Sequence, residues 1–176
     1  MIHSARTLAV PALCFAATAH AQRADTVLLN GKIVTADERG AIHQAVAVRD
    51  GRIVALGKSA VVRRLAGKNT RVVDLHGRTV IPGMIDVHMH AIRAGLSYAT
   101  EVNWLQALRM YTAGSAWFAH DDARRGALGV GKLADLVVLN KDYLTVPLDE
   151  IGGLHSLLTM VGGRVVYAEG DYKTYE

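Results

Sequence analysis

The sequence predicts a mixed, mainly β fold, and three observations carry that reading. Turn dipeptides with strong hairpin chemistry, Asn30-Gly31, Asp50-Gly51 and Gly162-Gly163, sit between short β-branched runs. A single stretch, residues 100–120, switches to helical periodicity in the middle of the chain. The chain has 176 residues, of which 51% are hydrophobic and 20% charged. That length and composition suit one core, and a complete (β/α)8 barrel typically needs about 250 residues. Low hydrophobicity with high net charge, the signature of disorder, is absent.

The first 21 residues read as a targeting signal. Arg6 precedes an apolar run from Leu8 to Ala19, no acid is present, and Ala19-His20-Ala21 has the small-x-small form that signal peptidase cleaves. The run is too short to span a bilayer, which takes about 20 apolar residues. A secreted or periplasmic protein is therefore expected, with no membrane attachment after cleavage. Cys14, the one cysteine, lies in this leader. The mature chain then has no disulfide, thiol nucleophile or thiolate ligand.

From Thr26 to Thr35 the chain reads as strand, broken by a tight hairpin at Asn30-Gly31. Ala45–Val48 and Ile53–Gly57 flank Asp50-Gly51 as a second hairpin. Ser59–Leu65 is a short helix candidate with Ser59 available as N-cap. Val72–Leu75 and Thr79–Ile81 flank His76-Gly77 as a third pair of strands, and Pro82-Gly83 stops it. Met84–His90 is a further short strand. In the helical stretch Trp104, Leu105, Leu108, Tyr111 and Thr112 share one face, and Gly114 weakens its middle. Gly126–Gly131 is a loop and Ala134–Leu139 an apolar strand. Leu154–Val161 and Arg164–Ala168 close the chain as a hairpin about Gly162-Gly163.

The net charge is +4, and the basic residues are scattered, with Arg63-Arg64 and Arg124-Arg125 the adjacent pairs. Nucleic-acid binders cluster their cations and interleave aromatics, so no nucleic-acid partner is expected.

Chemistry concentrates in Asp86-Val87-His88-Met89-His90. On a strand, alternate residues share a face, so Asp86, His88 and His90 align and Val87 and Met89 oppose them. Two imidazoles spaced this way reach one divalent ion, and a nearby carboxylate can orient a ring through its second nitrogen. Alone, the pattern is more often two ordinary histidines, since catalytic zinc takes at least three protein ligands.

The longer string Val80 to His90, VIPGMIDVHMH, resembles the first metal-binding strand of the amidohydrolase superfamily, most closely its YtcJ-like branch, amidohydrolase family 3. ADTVLLNGKIVTAD and AVAVRDGRIVALG are similar to that family's N-terminal strands. GVGKLADLVVLNKDYLTVP resembles its C-terminal strand, TMVGGRVVYAEGD its closing hairpin, and ALRMYTAGSAWFA the helix after its last barrel strand. The resemblance implies a composite β-sandwich built from the N- and C-terminal segments, beside a remnant of a TIM-type (β/α)8 barrel consisting of its first strand and last helix. The implied division is residues 1–21 signal peptide, 22–83 first half of the sandwich, 84–120 barrel remnant and 121–176 second half. It implies a metal-dependent hydrolase of non-peptide, amide-type C–N bonds in small molecules, with His88 and His90 as the first two ligands of a divalent metal, zinc by family habit.

About a dozen residues separate His90 from the helix near Trp104, where the family would place seven more βα units. The family's later ligands and its catalytic aspartate match no residue here. His120, Asp121 and Asp122 read as a solvated loop, and His43, His76 and His155 as turn histidines facing water. Asp135 reads as a turn or cap residue. Gly126, Gly129 and Gly131 lack the preceding strand and the Lys-Ser/Thr of a phosphate loop. The strand at 85–91 has lost parallel neighbours and offers edges for pairing with a second copy. Three readings stand: an enzyme completed by assembly, a non-catalytic sandwich remnant with at most weak metal binding, or a gene fragment.

Overall fold

The computed structural model describes residues 23–85 and 103–175. The signal at 1–21, His88, His90 and the strand at 85–91 beyond its first residue lie outside the described residues.

Among the described residues ten strands form two sheets. Strands β1 (Thr26–Leu29), β4 (Ala45–Arg49), β5 (Arg52–Gly57) and β6 (Arg71–Asp74) make a four-stranded sheet in the order β5-β4-β1-β6. Strands β2 (Lys32–Val34), β3 (Ile42–His43), β7 (Thr79–Pro82), β8 (Leu136–Leu139), β9 (Ser156–Val161) and β10 (Arg164–Ala168) make a six-stranded sheet, β10-β9-β8-β7-β2-β3. The N-terminal β7 pairs antiparallel with the C-terminal β8, Val80 opposite Val138. Both ends of the chain therefore build one sheet, as the resemblance implied.

Alternation along each strand sorts side chains into layers. Leu28, Val46, Val48, Ile53 and Val73 of the first sheet meet Ile33, Val80, Leu136, Val138, Leu158 and Met160 of the second in one buried cluster. The intervening residues Val27, Leu29, Ala45 and Ala47 face outward, onto Val62 of helix α1 (Ser59–Val62). Strand β1 is buried on both faces, which explains its continuous apolar run. The outer side of the second sheet, through Val34, Ile81 and Leu139, packs on Leu108. That residue belongs to helix α2 (Trp104–Arg109), which continues through a π-turn at Met110–Gly114 into α3 (Ser115–Phe118).

Two expectations are corrected. Asn30-Gly31 and His76-Gly77 do not close sheet-internal strand pairs; each carries the chain from one sheet to the other. Strand β1 pairs with β4 and β6, while β2 pairs with β3 and β7. The two crossings run side by side, so β1–β6 and β2–β7 are both parallel pairs. Asn30 has the positive φ of 58° expected of an Asn-Gly turn, but the partner that satisfies Gly31 N–H is the Gln44 carbonyl at 2.9 Å, not a hairpin mate. Local turn chemistry specifies a reversal and is silent on which sheet receives it. Ser59 is not an N-cap either: Lys58 holds that position without a side-chain bond. The Ser59 hydroxyl instead accepts from Asn30 N–H at 2.9 Å and donates to the Gln44 carbonyl.

The other two turns behave as expected. Asp50-Gly51 joins β4 to β5 with both residues at positive φ, 50° and 73°, the geometry of a type I′ turn. Gly162-Gly163 joins β9 to β10.

Candidate functional site

Strand β7 delivers the chain to the segment of interest. Its four residues are buried. Gly83 N–H then donates to the Asp135 carbonyl at 2.9 Å, and Ile85 N–H to the Tyr111 carbonyl at 2.8 Å. The histidine-bearing sequence follows at once. Its return is marked by Asn103, which caps α2 with a reciprocal box: Gln106 N–H donates to Asn103 Oδ1 at 2.9 Å, and Asn103 N–H donates to Gln106 Oε1 at 3.0 Å. Ile85 is thus hydrogen-bonded to the helical segment that Asn103 caps. Seventeen residues, 86–102, join these two points.

Beside this junction lies a cavity of about 690 Å³. Its floor is the outer face of the second sheet, including Val137, Leu139 and Val161, and Met84 and Ile85 form part of its rim. The size suits a small molecule and the walls are apolar. The polar groups on the wall are committed to structure. Asp135 Oδ1 accepts from Gly162 N–H at 2.7 Å, fastening the β9–β10 turn to the start of β8, the turn role its sequence position suggested. His155 Nδ1 donates to the Gly153 carbonyl at 3.2 Å. Arg125 Nε lies 2.6 Å from Asp121 Oδ2, and Arg124 joins the same carboxylate at 3.5 Å. The polar cluster at 120–122 is in this way the anchor of an arginine pair.

Among the described residues no three His, Cys, Asp or Glu side chains are grouped to hold a metal ion. His76 and His155 are more than half exposed. His76 takes part through its backbone: its N–H donates to Asp74 Oδ1 at 2.9 Å. That bond, followed by one from the Asn30 amide, lowers the Asp74 pKa below 3.8.

Sequence reasoning missed one network. Asp142 receives Lys32 Nζ on Oδ2 at 2.5 Å, and Thr79 Oγ1 and Leu144 N–H on Oδ1 at 3.1 and 3.0 Å. Burial pushes its pKa up, but the bonds from Lys32, Leu144 and Thr79 outweigh that and hold it below 3.8. Lys32 and Asp142 lie 110 positions apart, so no local pattern announces the pair. The Asn103–Gln106 box, by contrast, is readable as N-x-x-Q.

A two-sheet β-sandwich made jointly by both chain ends, with a histidine-bearing segment leaving the end of a buried strand, defines the class. The amidohydrolase family model matches residues 71–107 and 99–167, more than half the chain, and the chain belongs to that family. The matches meet at the junction described above. The imidazolonepropionase of Mesorhizobium japonicum is 35% identical over 100 residues, which cover 57% of this chain and 22% of that protein. The N-substituted formamide deformylase of Arthrobacter pascens is 41% identical over 69 residues, covering 39% and 13%. Protein LONG AFTER FAR-RED 3 of Arabidopsis thaliana is 40% identical over 76 residues, covering 43% and 13%. The chain spans less than a quarter of the length of these relatives. A Bifidobacterium longum crystal structure described as a prolidase superposes with a TM-score of 0.58 at 13% identity, covering 82% of this chain and 95% of that one; it shares the fold.

Proposed function

We propose that this chain is an internally shortened amidohydrolase: it keeps the family's sandwich and, at residues 84–120, only the first strand and last helix of its barrel. In this reading His88 and His90 hold a divalent metal, zinc, weakly, and the chain alone does not hydrolyse amide-type C–N bonds. The observation that carries it is the junction. Ile85 bonds to Tyr111, and only 17 residues, 86–102, join Ile85 to the Asn103 cap of that helical segment, where seven βα units would have to fit.

A bound divalent ion would supply a water made acidic enough to ionise near neutral pH and would polarise a carbonyl. A catalytic zinc site takes three protein ligands and an open position. Two imidazoles fall short of that, and the described residues add no grouped donors. A second chain pairing along residues 85–91 would be the source of further ligands for a small amide-type substrate, and the signal at 1–21 would send the protein to the periplasm or outside the cell.

Metal content and activity of the purified, signal-cleaved chain test the proposal. After dialysis we expect well under one equivalent of zinc per chain, reduced further in His88→Ala and His90→Ala, and no turnover of N-acyl or N-formyl amines. One tightly held equivalent together with chelator-sensitive turnover by the monomer would overturn it. The same turnover confined to a dimer would establish completion by assembly instead.

A further inference from the structure

A second cleft, of about 460 Å³, lies at the seam between the sheets, lined by Arg71, Arg164, Asn69 and the glycines of two turns. Arg71 opens β6 and Arg164 opens β10, so the two guanidinium groups come from different sheets. A Cβ on Gly51 would stand 2.8 Å from the Gly162 carbonyl oxygen, and one on Gly163 would stand 2.9 Å from Gly51 Cα. The turns therefore abut closely and leave the space above them open.

The charge in this cleft is unbalanced. Among the described residues its one carboxylate, Asp25, accepts from Asp50 N–H at 2.7 Å through Oδ2. The Tyr175 hydroxyl on its wall donates to the Val72 carbonyl. Several other arginines are engaged, Arg23 on carbonyl oxygens, Arg52 on the Gly131 carbonyl, and Arg124 and Arg125 on Asp121. The cleft at Arg109 and Lys132 contains Asp37, Glu38 and Asp122 as counter-charges. Among the described residues, the side chains of Arg71 and Arg164 have no carboxylate partner.

We infer that this cleft binds a small phosphate-bearing anion, held between the Arg71 and Arg164 guanidinium groups with the Asn69 amide as an additional donor. Guanidinium is planar, permanently charged and presents paired N–H groups that match two phosphate oxygens, so two arginines lining one cleft suit a phosphate group. The site is separate from the cavity beside Met84 and stands whether or not the chain holds metal.

Inorganic phosphate, titrated into the ¹⁵N-labelled signal-cleaved chain at low ionic strength, is the test. We expect saturable shifts of the Arg71, Arg164, Gly51 and Gly163 amides. Arg71→Gln combined with Arg164→Gln should weaken binding at least tenfold, while Arg63→Gln combined with Arg64→Gln, an equal charge loss elsewhere, should leave it within twofold. Arg71→Lys combined with Arg164→Lys keeps the charge and should restore part of the affinity if the first pair fails to fold. Linear, unsaturated shifts, or equal weakening by both glutamine pairs, would overturn the inference.

Discussion

Replacing Asp142 tests how the two ends of the chain are fastened. Its carboxylate takes three donors: Lys32 and Thr79 from the N-terminal strands and the backbone of Leu144. The Lys32 and Asp142 side chains are 29% and 31% exposed, so the ion pair is partly screened, and its coupling should be about 1 kcal/mol, the upper end for surface pairs. Thr79 is fully buried, and an orphaned hydroxyl there costs a further 1–2 kcal/mol or so. Asp142→Ala should therefore lose about 2–3 kcal/mol. Asp142→Asn keeps an acceptor for Thr79 and Leu144 and should lose about 1 kcal/mol. With a urea m-value of about 2 kcal/mol/M, the midpoints fall by about 1–1.5 M and 0.5 M. A cycle with Lys32→Met isolates the pair. The pH dependence has a fixed sign. The folded pKa of Asp142 lies below its ordinary value, so its contribution is complete above about pH 4 and disappears as pH falls through the folded value. The gap between wild type and Asp142→Asn should narrow from pH 5 to pH 2. Equal midpoints for wild type and Asp142→Ala at pH 7, or a gap unchanged at pH 2, would refute the reasoning.

Other substitutions probe the remaining layers. Gly126 has φ +84°, and an added Cβ would come 2.5 Å from Ala116 Cβ and 2.9 Å from the Thr112 carbonyl. Gly126→Ala should cost about 2 kcal/mol or more by thermal denaturation, since strain and clash act together. Asn103→Ala removes the bond that Gln106 N–H donates to Asn103 Oδ1 and keeps the backbone N–H that Gln106 Oε1 accepts; a loss of about 1 kcal/mol and faster amide exchange at Gln106 are expected. Leu158 is fully buried between the sheets, and Leu158→Ala should lose about 2–5 kcal/mol in a urea titration.

What could be read from sequence was what short range determines. Asp50-Gly51 and Gly162-Gly163 joined neighbours because each lies between strands long enough to pair with each other. Asn30-Gly31 carried the same local signal, yet Leu29 and Lys32 entered different sheets. The deciding interaction is the burial of Leu28 and Ile33 in the one inter-sheet core, a property of the assembled layers. The helix face was legible in Leu105, Leu108 and Thr112, but its π-turn was not. That turn is stabilised by Ser115 Oγ donating to the Met110 carbonyl five residues back, a bond that Gly114 alone does not forecast. For the site, spacing and resemblance nominate His88 and His90, which lie outside the described residues, whereas Asp142, Lys32 and Thr79 become a unit only through pairing of β2 with β7.

The order of the six-stranded sheet explains why this architecture tolerates change between its halves. Strands β7 and β8 are neighbours at its centre, although 53 residues separate Pro82 from Leu136. Any segment placed between them leaves from one strand and returns to the next, so the loop can lengthen or shorten without altering a register. Loop-closure entropy grows only as the logarithm of length, about 0.6 kcal/mol per doubling, which makes a short connection slightly favourable. The cost falls on surface instead. The outer face of β7, β8 and β9 keeps apolar side chains, Ile81 and Leu139 under Leu108 but Val161 half exposed beside Met84. Helix α2 covers one side of that face and leaves the other as the cavity wall. Among the described residues the sandwich is thus self-sufficient in its core, while the outer face of its second sheet is covered by α2 on one side alone.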